Sequence, residues 1–542
     1  MRDRWSVAVG DRGWRGGFLI AFFILQAIKL GVAATLSPFG DEAFYWQESL
    51  RPAWGYSDLP PLTAWLVRLG EAVAGHGLLG MRWPFLLIGA ALPWLVVAFA
   101  RRAFDARAGW QAGLLCLALP LAGSLGVLAL PDVPLTFAIM LALYALIRAL
   151  DEQRTWQWAL LGAALAIAWT THYRAAMPML AGLLLFVLTP RGRAQWRRPG
   201  FWLAMLIAML GLIPLLVFNL AQRGVGIGFQ LVERNPWAFH VDALVQPLEQ
   251  ALTCTPLLYG LLLWAAWRSW RRRDEPSWDV MAVVAATFLL AYFFFGLFAD
   301  DLRFRVHWPL PGYLPLLAAL PVLLREEAWR RRWPRRFLVV AFALAGAVQL
   351  LGMGYLALAA SRDGVTMLAD VKAFPSNFVG WRESGVEARR LLGGDRVLVA
   401  DNFMLAAELD FQLGGTVPVY ALDNPLNTKH GRAPQLAIWR LDEPALRAAY
   451  SGQTVLLAVE ETALRERERQ SWLSSICTRV ESPQPLSRLN LFGGRKRIAF
   501  YRIRVPSAVS GSGGDCVFWQ AYIAAREPLI YSAQAWNRSE AP

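Results

Sequence analysis

FGDEAFYWQESLRPAWGYSDLPPLTAWLVRL, residues 39–69, follows the first long apolar run and sets Asp41 and Glu42 side by side among Phe44, Tyr45 and Trp46. Adjacent carboxylates are costly inside a bilayer and tolerable in water, so the fold depends on which face of a membrane they occupy. The chain has 542 residues, 56% hydrophobic and 17% charged, with 26 tryptophans. Soluble domains run at about 45–50% apolar and about 25% charged, which places this chain in the membrane class. Its net charge of +14 does not point to nucleic acid. The arginines stand in blocks beside apolar runs, as in RGRAQWRR, WRSWRRR and REEAWRRRWPRR, the pattern of cytoplasmic helix ends.

Apolar runs near 17–36, 81–100, 110–129, 133–149, 157–170, 174–189, 201–220, 249–267, 279–298, 308–324 and 337–359 predict about eleven transmembrane helices. MRDRWSVAVGDRGWRGG leads into the first run with no small-residue cleavage site, which reads as an uncleaved first helix. With that end in the cytoplasm, alternation puts the basic turns inside. The loops around Asp41, Pro131, Thr171, Gln230 and Asp301 then lie outside, with the C-terminal region. WALLGAALAIAWTTHYRAAMPMLAGLLLFVL must hold two helices for this parity, and the first is short. A break at Thr170–Arg174 below the membrane surface is tolerated beside a water-filled cavity or buried in protein; a tilted pair with THYR at the interface is the plainer reading.

From about residue 361 the pattern changes. RVLVADNFMLAAELDFQLGGTVPVYAL reads as strand, helix, strand; TVLLAVEETALRERERQSWLSSI repeats strand then helix; RKRIAFYRIRV is a later strand. The expected architecture is a multi-pass α-helical membrane domain, 1–360, followed by a soluble α/β domain, 361–542. Of the four cysteines, Cys116 and Cys254 fall in apolar runs. Cys477 and Cys516 both fall in the polar region, where a disulfide is open to them in an oxidising compartment.

No phosphate-binding or dinucleotide glycine motif occurs, and no paired Cys or His metal spacing. Pro38 and Gly40 end the first span, so DEAFYWQESL can form a short helix along the interface, its Tyr and Trp at headgroup level. Asp41 is placed to cap that helix. PLTAWLVRLGEAVAG puts Leu62, Trp65, Leu66, Leu69 and Val73 on one face, a helix lying in the membrane surface. A second outer acid, Asp132 in LALPDVPLTF, also suits an ordinary helix start. Two acids at neighbouring outer mouths suit acid–base chemistry, which needs carboxylates converging on a cavity. Outer cations are exceptions to the charge pattern: His172 and Arg174 at the break, and Arg303, Arg305 and His307 in DLRFRVHWP. They suit a phosphate or diphosphate, or simply anionic lipid headgroups. GFQLVERNPWAFHVD adds Gln230, Glu233, Arg234 and His240, as a solvated loop or a substrate lid.

These residues resemble a known family. GDEAFYWQESLRPAWGYSDLPPLTAWLVRL is similar to the first extracytoplasmic loop of bacterial family 39-type glycosyltransferases, in the protein-mannosyltransferase and aminoarabinose-transferase superfamily with the GT-C fold. PDVPLTF resembles its second acidic motif, FQL its fourth-loop signature and VHWPLPGYL its xNWPAPAYL; the likeness covers roughly 15–360. The resemblance implies a transferase in the bacterial cytoplasmic membrane, with its C-terminal domain periplasmic. It would move a sugar from a polyprenyl-phosphate donor to lipid A, another glycan, a lipid or a protein. Asp41 takes the place of the catalytic acid, with Glu42 beside it. Asp132 takes the second acidic position, which helps hold a metal in some relatives, so a divalent metal is left open. His172, Tyr173, Arg174, Arg303, Arg305 and His307 fall on the phosphate side. Tyr45, Tyr56, Asp58, Gln230 and Arg234 are candidates to line the substrate loops. His172-Tyr173 departs from the usual Lys-Tyr, Leu59 from a His and His307 from an Asn. The competing class is a transporter or lipid flippase, which would show ionisable residues at mid-membrane and inverted repeats.

Overall fold

The computed structural model describes residues 2–233, 237–298, 306–330, 334–507 and 516–524. The chain divides into two compact units, Met1–Gly364 and Val365–Pro542.

The first unit is helical throughout. α1 (Arg2–Thr35) is followed by two short helices, α2 (Gly40–Leu50) and α3 (Leu62–Ala74), then by α4 (Leu78–Ala103), α5 (Ala106–Ala118) and α6 (Pro120–Gly123). α7 (Asp132–Glu152), α8 (Thr155–Thr171) and α9 (Ala176–Leu188) form the middle; α10 (Pro190–Arg193), α11 (Pro199–Leu210), α12 (Ile213–Ala221) and α13 (Val225–Gly228) follow. α14 (Gln246–Cys254), α15 (Pro256–Arg271), α16 (Trp278–Gly296), α17 (Leu310–Arg330) and α18 (Pro334–Ala359) complete it. The eleven apolar runs thus fall mostly on helix. Among the described residues six spans are long and apolar enough to cross a membrane alone: α1, α4, α7, α11–α12, α16 and α18.

Two predicted spans are interrupted, by Gly211 and Leu212 between α11 and α12 and by Thr255 between α14 and α15. The run expected to 129 stops being helical at Gly123, because Pro120 restarts the chain and Gly126 takes a positive φ of 94°. α8 has 17 residues, about 26 Å at 1.5 Å per residue, less than the roughly 30 Å of a hydrocarbon core. It ends at His172, and one 3-10 turn, Tyr173–Ala175, leads into α9. The expected break is therefore present at the expected place.

α3 turns its small residues Thr63, Ala64 and Gly70, with Val67, into the protein and leaves Leu69 and Val73 exposed. A side chain at Gly70 would collide with the Gly80 carbonyl, so α3 and α4 touch backbone to backbone. The apolar stripe faces out, as a helix lying in a membrane surface requires.

The opposite end of the bundle is tied by ion pairs. Asp151 accepts Arg102 (2.6 Å) and Arg191, Arg268 reaches Glu327 (2.7 Å), and Arg325 reaches Asp105 (2.6 Å).

The division falls within α19 (Arg362–Met367), and in the second unit α20 (Trp381–Leu392) precedes the sheet. The order then runs β1 (Leu398–Ala400), α21 (Phe403–Leu413), β2 (Val419–Ala421), α22 (Pro425–Lys429), α23 (Ala433–Trp439), α24 (Glu443–Tyr450), β3 (Thr454–Glu460) and α25 (Glu466–Ile476). β4 (Glu481–Leu491), β5 (Lys496–Arg504) and α26 (Val517–Ala524) finish the described chain. The sheet order is β2-β1-β3-β5-β4, with β2, β1 and β3 parallel and β5 antiparallel to both β3 and β4. β1 is buried throughout and β3 from Val455 onward, which is why their sequences are nearly continuous apolar runs. β4 was not anticipated. Its Pro483 and Pro485 cannot donate to a ladder, and the strand survives because it is at the edge. Cys477 and Cys516 form a disulfide, while Cys116 and Cys254 are buried free thiols.

Candidate active site

The site is organised by a residue the sequence reading passed over. Arg82, near the start of α4, is completely buried and sends five hydrogen bonds from its guanidinium. Three go to the carbonyls of Ala33 (2.9 Å), Leu36 (2.6 Å) and Ser37 (3.1 Å), acceptors that the end of α1 leaves unpaired. The other two form a fork on Glu42, Nε to Oε1 at 2.9 Å and Nη2 to Oε2 at 2.7 Å. Glu42 also accepts the backbone N–H of Phe39 (2.9 Å) and of Ala129 (2.6 Å).

Four donors therefore occupy the Glu42 carboxylate, which has no exposed surface. Glu42, expected to share the acid–base work, instead has both carboxylate oxygens engaged by these four donors. Asp41 differs. Alone among Gly40–Ser49 it keeps partial exposure. Nor is it the helix cap, since Phe39 holds that position and Glu42, three residues on, receives the Phe39 N–H. Tyr45 and Trp46 are also corrected. They are buried, 5% and 1% exposed, rather than anchored at headgroup level, whereas Trp54 is 56% exposed.

The rest of the first loop is folded back on α2. Tyr56 is buried and donates to the Glu48 carbonyl at 2.8 Å, with the Arg51 carbonyl at 3.2 Å. Burial and the nearby carboxylates of Glu48 and Asp58 push its phenol well up. Asp58 is 5% exposed, and its backbone carbonyl accepts Gln230 Nε2 at 2.8 Å, joining the loop between α2 and α3 to the segment after α13.

Asp132 opens α7, three residues after the Ala129 that is bonded to Glu42. Its Oδ1 accepts Arg174 Nη2 at 2.5 Å and lies 3.2 Å from His307 Nε2. Arg174 also lies over the Trp308 ring, 5.4 Å from its centroid, and Trp308 packs on Tyr292 at 5.6 Å. The helix break aims Arg174: the buried His172 accepts the Arg174 N–H through Nδ1 at 3.0 Å, so that nitrogen carries no proton in this arrangement. Tyr173 takes the other side, its hydroxyl 3.3 Å from Asn219 Nδ2.

The structure thus joins Asp132, Arg174 and His307 directly, with His172 positioning Arg174. Asp58 meets Gln230 in a separate contact, and Tyr45 and Tyr56 serve the packing of the loop. Arg234, Arg303 and Arg305 lie outside the described residues. Besides Arg82, the sequence reading missed Asn219, Tyr292 and Trp308. Arg82 had a signal, a lone arginine inside the apolar stretch GLLGMRWPFLLIGAAL, where intramembrane charge marks function by default.

The divalent metal left open by the resemblance fits poorly. Among the described residues no group of three or more His, Cys, Asp or Glu could hold an ion. The Asp132 oxygen in question is already shared by Arg174 and His307. No step is therefore derived through a metal.

An acid paired with an arginine in a multi-pass bundle, with a second acid that keeps partial exposure, is an arrangement suited to group transfer. The family described as dolichyl-phosphate-mannose-protein mannosyltransferase matches residues 58–218. The lipid A galacturonosyltransferase RgtD of Rhizobium johnstonii is 25% identical over 416 residues, 74% of this chain and 83% of that one. The undecaprenyl phosphate-alpha-4-amino-4-deoxy-L-arabinose arabinosyl transferase of Pseudomonas paraeruginosa is 29% identical over 283 residues, and that match spans 48% of each chain. ArnT from Cupriavidus metallidurans, in its crystal structure bound to undecaprenyl phosphate, superimposes with a TM-score of 0.62 at 15% identity, over 92% of this chain and 99% of that one. The chain is a membrane glycosyltransferase with the GT-C fold, similar to the family 39-type enzymes. None of these relatives is a transporter or flippase.

Proposed function

We propose that this protein transfers a sugar from a polyprenyl-phosphate donor to a lipid A-type or other glycan or lipid acceptor at the outer face of the bacterial inner membrane. The observation that carries the residue assignment is the division of labour in α2. Glu42 is saturated by Arg82 and two backbone amides, while its neighbour Asp41 keeps solvent access on a helix held still by that pair.

Asp41 takes the proton from the acceptor hydroxyl or amine as that atom attacks the anomeric carbon. The bond from that carbon to the donor phosphate oxygen breaks, and the polyprenyl phosphate leaves with the electron pair. Attack from the opposite face inverts the anomeric configuration. Arg174, already aimed by His172 and Trp308, neutralises the charge that grows on the leaving phosphate, and Asp132 holds the guanidinium in that orientation. Arg303 and Arg305 are further candidates for the same phosphate. The donor class is supported by the relatives' names, and the periplasmic side by the Cys477–Cys516 disulfide, which suits an oxidising compartment.

The test is transfer by purified protein from undecaprenyl-phosphate sugars to lipid A in detergent. Asp41→Asn is expected to lose about 10²–10⁴-fold in rate, the usual weight of a general base, while remaining folded. Near-normal transfer by that variant would remove Asp41 from the role.

A further inference from the structure

The second unit holds a crevice of about 600 Å³ that the transfer reading does not use. It lies over the carboxyl ends of the parallel strands. The segment after β2, Asp423–Thr428, forms one wall and α25 the other. From β1 the chain runs to β2 on one side, and from β3 it runs through α25 to the far edge, so the connections diverge between β1 and β3. Such a switch point is where open α/β sheets leave room for a ligand. The volume is within the roughly 300–1,000 Å³ of small-ligand sites.

The floor is built to stay in place. Asp401, at the end of β1, has no exposed surface and accepts the Trp472 indole N–H (2.9 Å), the Glu460 N–H (3.0 Å) and Asn402 Nδ2 (2.9 Å). Asn424 donates to the Asp401 carbonyl at 3.0 Å, so one residue of each wall, Asn424 and Trp472, is tied to the end of β1.

The usual occupant of such a crevice, a phosphate on the helix after the first strand, has no donors to bind. The first four N–H groups of α21 are all taken. Phe403 N–H goes to Asn427 Oδ1 (2.8 Å), Met404 and Leu405 N–H both go to Asn402 Oδ1 (3.0 Å each), and Ala406 N–H goes to the Asn402 carbonyl (3.0 Å). A nucleotide is thereby excluded from the place where this topology would hold it. The lining instead mixes acceptors and donors: the carboxylates of Asp423 and Glu468, the guanidiniums of Arg467 and Arg479, and the hydroxyls of Thr428 and Ser471. Arg479 is fixed at the rim through Glu443 Oε2 at 2.6 Å. Groups of both polarities at close spacing match a ligand whose own hydroxyls both donate and accept.

We propose that this crevice is a saccharide-binding site of the C-terminal unit, separate from the transfer chemistry and independent of its assignment. Saturation-transfer difference NMR on the full-length protein in detergent micelles, without donor lipid, tests it. The probe is an unacylated, unphosphorylated β-1,6-linked glucosamine disaccharide, and ATP is the nucleotide control. Wild-type protein should transfer saturation to the disaccharide and not to ATP. Ser471→Trp, which fills the crevice from the exposed face of α25, and Thr428→Trp from the opposite wall should each abolish the signal, with the Cys477–Cys516 disulfide intact by mass spectrometry. Arg467→Ala should weaken binding roughly tenfold, the weight of one charge-assisted hydrogen bond. No signal from the wild type overturns the proposal. So does a signal that survives both tryptophan variants, which would place the sugar elsewhere, or displacement of the sugar by ATP.

Discussion

Arg82→Met isolates the pair on which the outer end is built. Methionine fills much of the same volume but leaves Glu42 buried with only the Phe39 and Ala129 amides as donors, and it strips three carbonyls at the end of α1 of their partner. Both side chains have no exposed surface, so little solvent screens the loss. Breaking a buried pair by removing one partner typically costs about 3–5 kcal/mol, and that is the expected destabilisation. Removing both charges in Glu42→Leu with Arg82→Met should cost clearly less than the sum of the single changes, because no uncompensated ion remains. The double-mutant cycle, read by unfolding in mixed micelles with increasing SDS, gives the coupling directly. Transfer should fall in all three variants, since the pair anchors the helix that carries Asp41. A single Arg82→Met variant within about 1 kcal/mol of wild type, or strictly additive changes, would refute the role given to this pair.

Three further outcomes are expected. Arg174→Ala should lower transfer by at least about 10²-fold and Arg174→Lys by less, since lysine keeps the charge and loses the planar guanidinium bonded to Asp132; equal rates for the two would remove the phosphate role, as steady-state kinetics with varied donor will tell. Cys477→Ser opens a link spanning 39 residues and should destabilise the second unit by roughly 2–4 kcal/mol, seen as a lower unfolding midpoint that dithiothreitol no longer changes. Burial lifts the Asp401 carboxyl from 3.8 to about 7, against the pull of the Glu460 amide and the Trp472 indole. The folded chain then holds an extra proton between those values. The stability tied to Asp401 is complete below the unfolded pKa and is lost as pH rises through about 7. The midpoint difference between wild type and Asp401→Asn should change across that window, and a constant difference would dismiss the coupling.

The first loop was legible because its signals are local. Two carboxylates, a double proline and a spaced apolar stripe fix α2, the turn and α3 without reference to anything distant. The break at His172 was legible for the same reason, an apolar run too short to be one span. What decides the roles of the acids is not local. Glu42 is distinguished from Asp41 only by Arg82, 40 residues away, and by the Ala129 amide, 87 away. Tyr45 and Trp46 have the composition of interface anchors, and only the packing of α2 against α3 shows that they are buried. Asp132 and His307 are 175 positions apart in the chain, so their meeting depends on the whole bundle. In the second unit, β4 was hidden by prolines that only an edge position allows.

Arg82 also bears on how the chain is made. In the orientation proposed above, an arginine near the start of α4 is carried across the membrane during synthesis, against the bias that keeps such charges inside. Its counter-ion lies 40 residues earlier. Glu42 is synthesised before Arg82 and, in that orientation, crosses first. The anion is therefore in place before the cation it neutralises, and α4 can be seated against α1 by contacts to residues made before it.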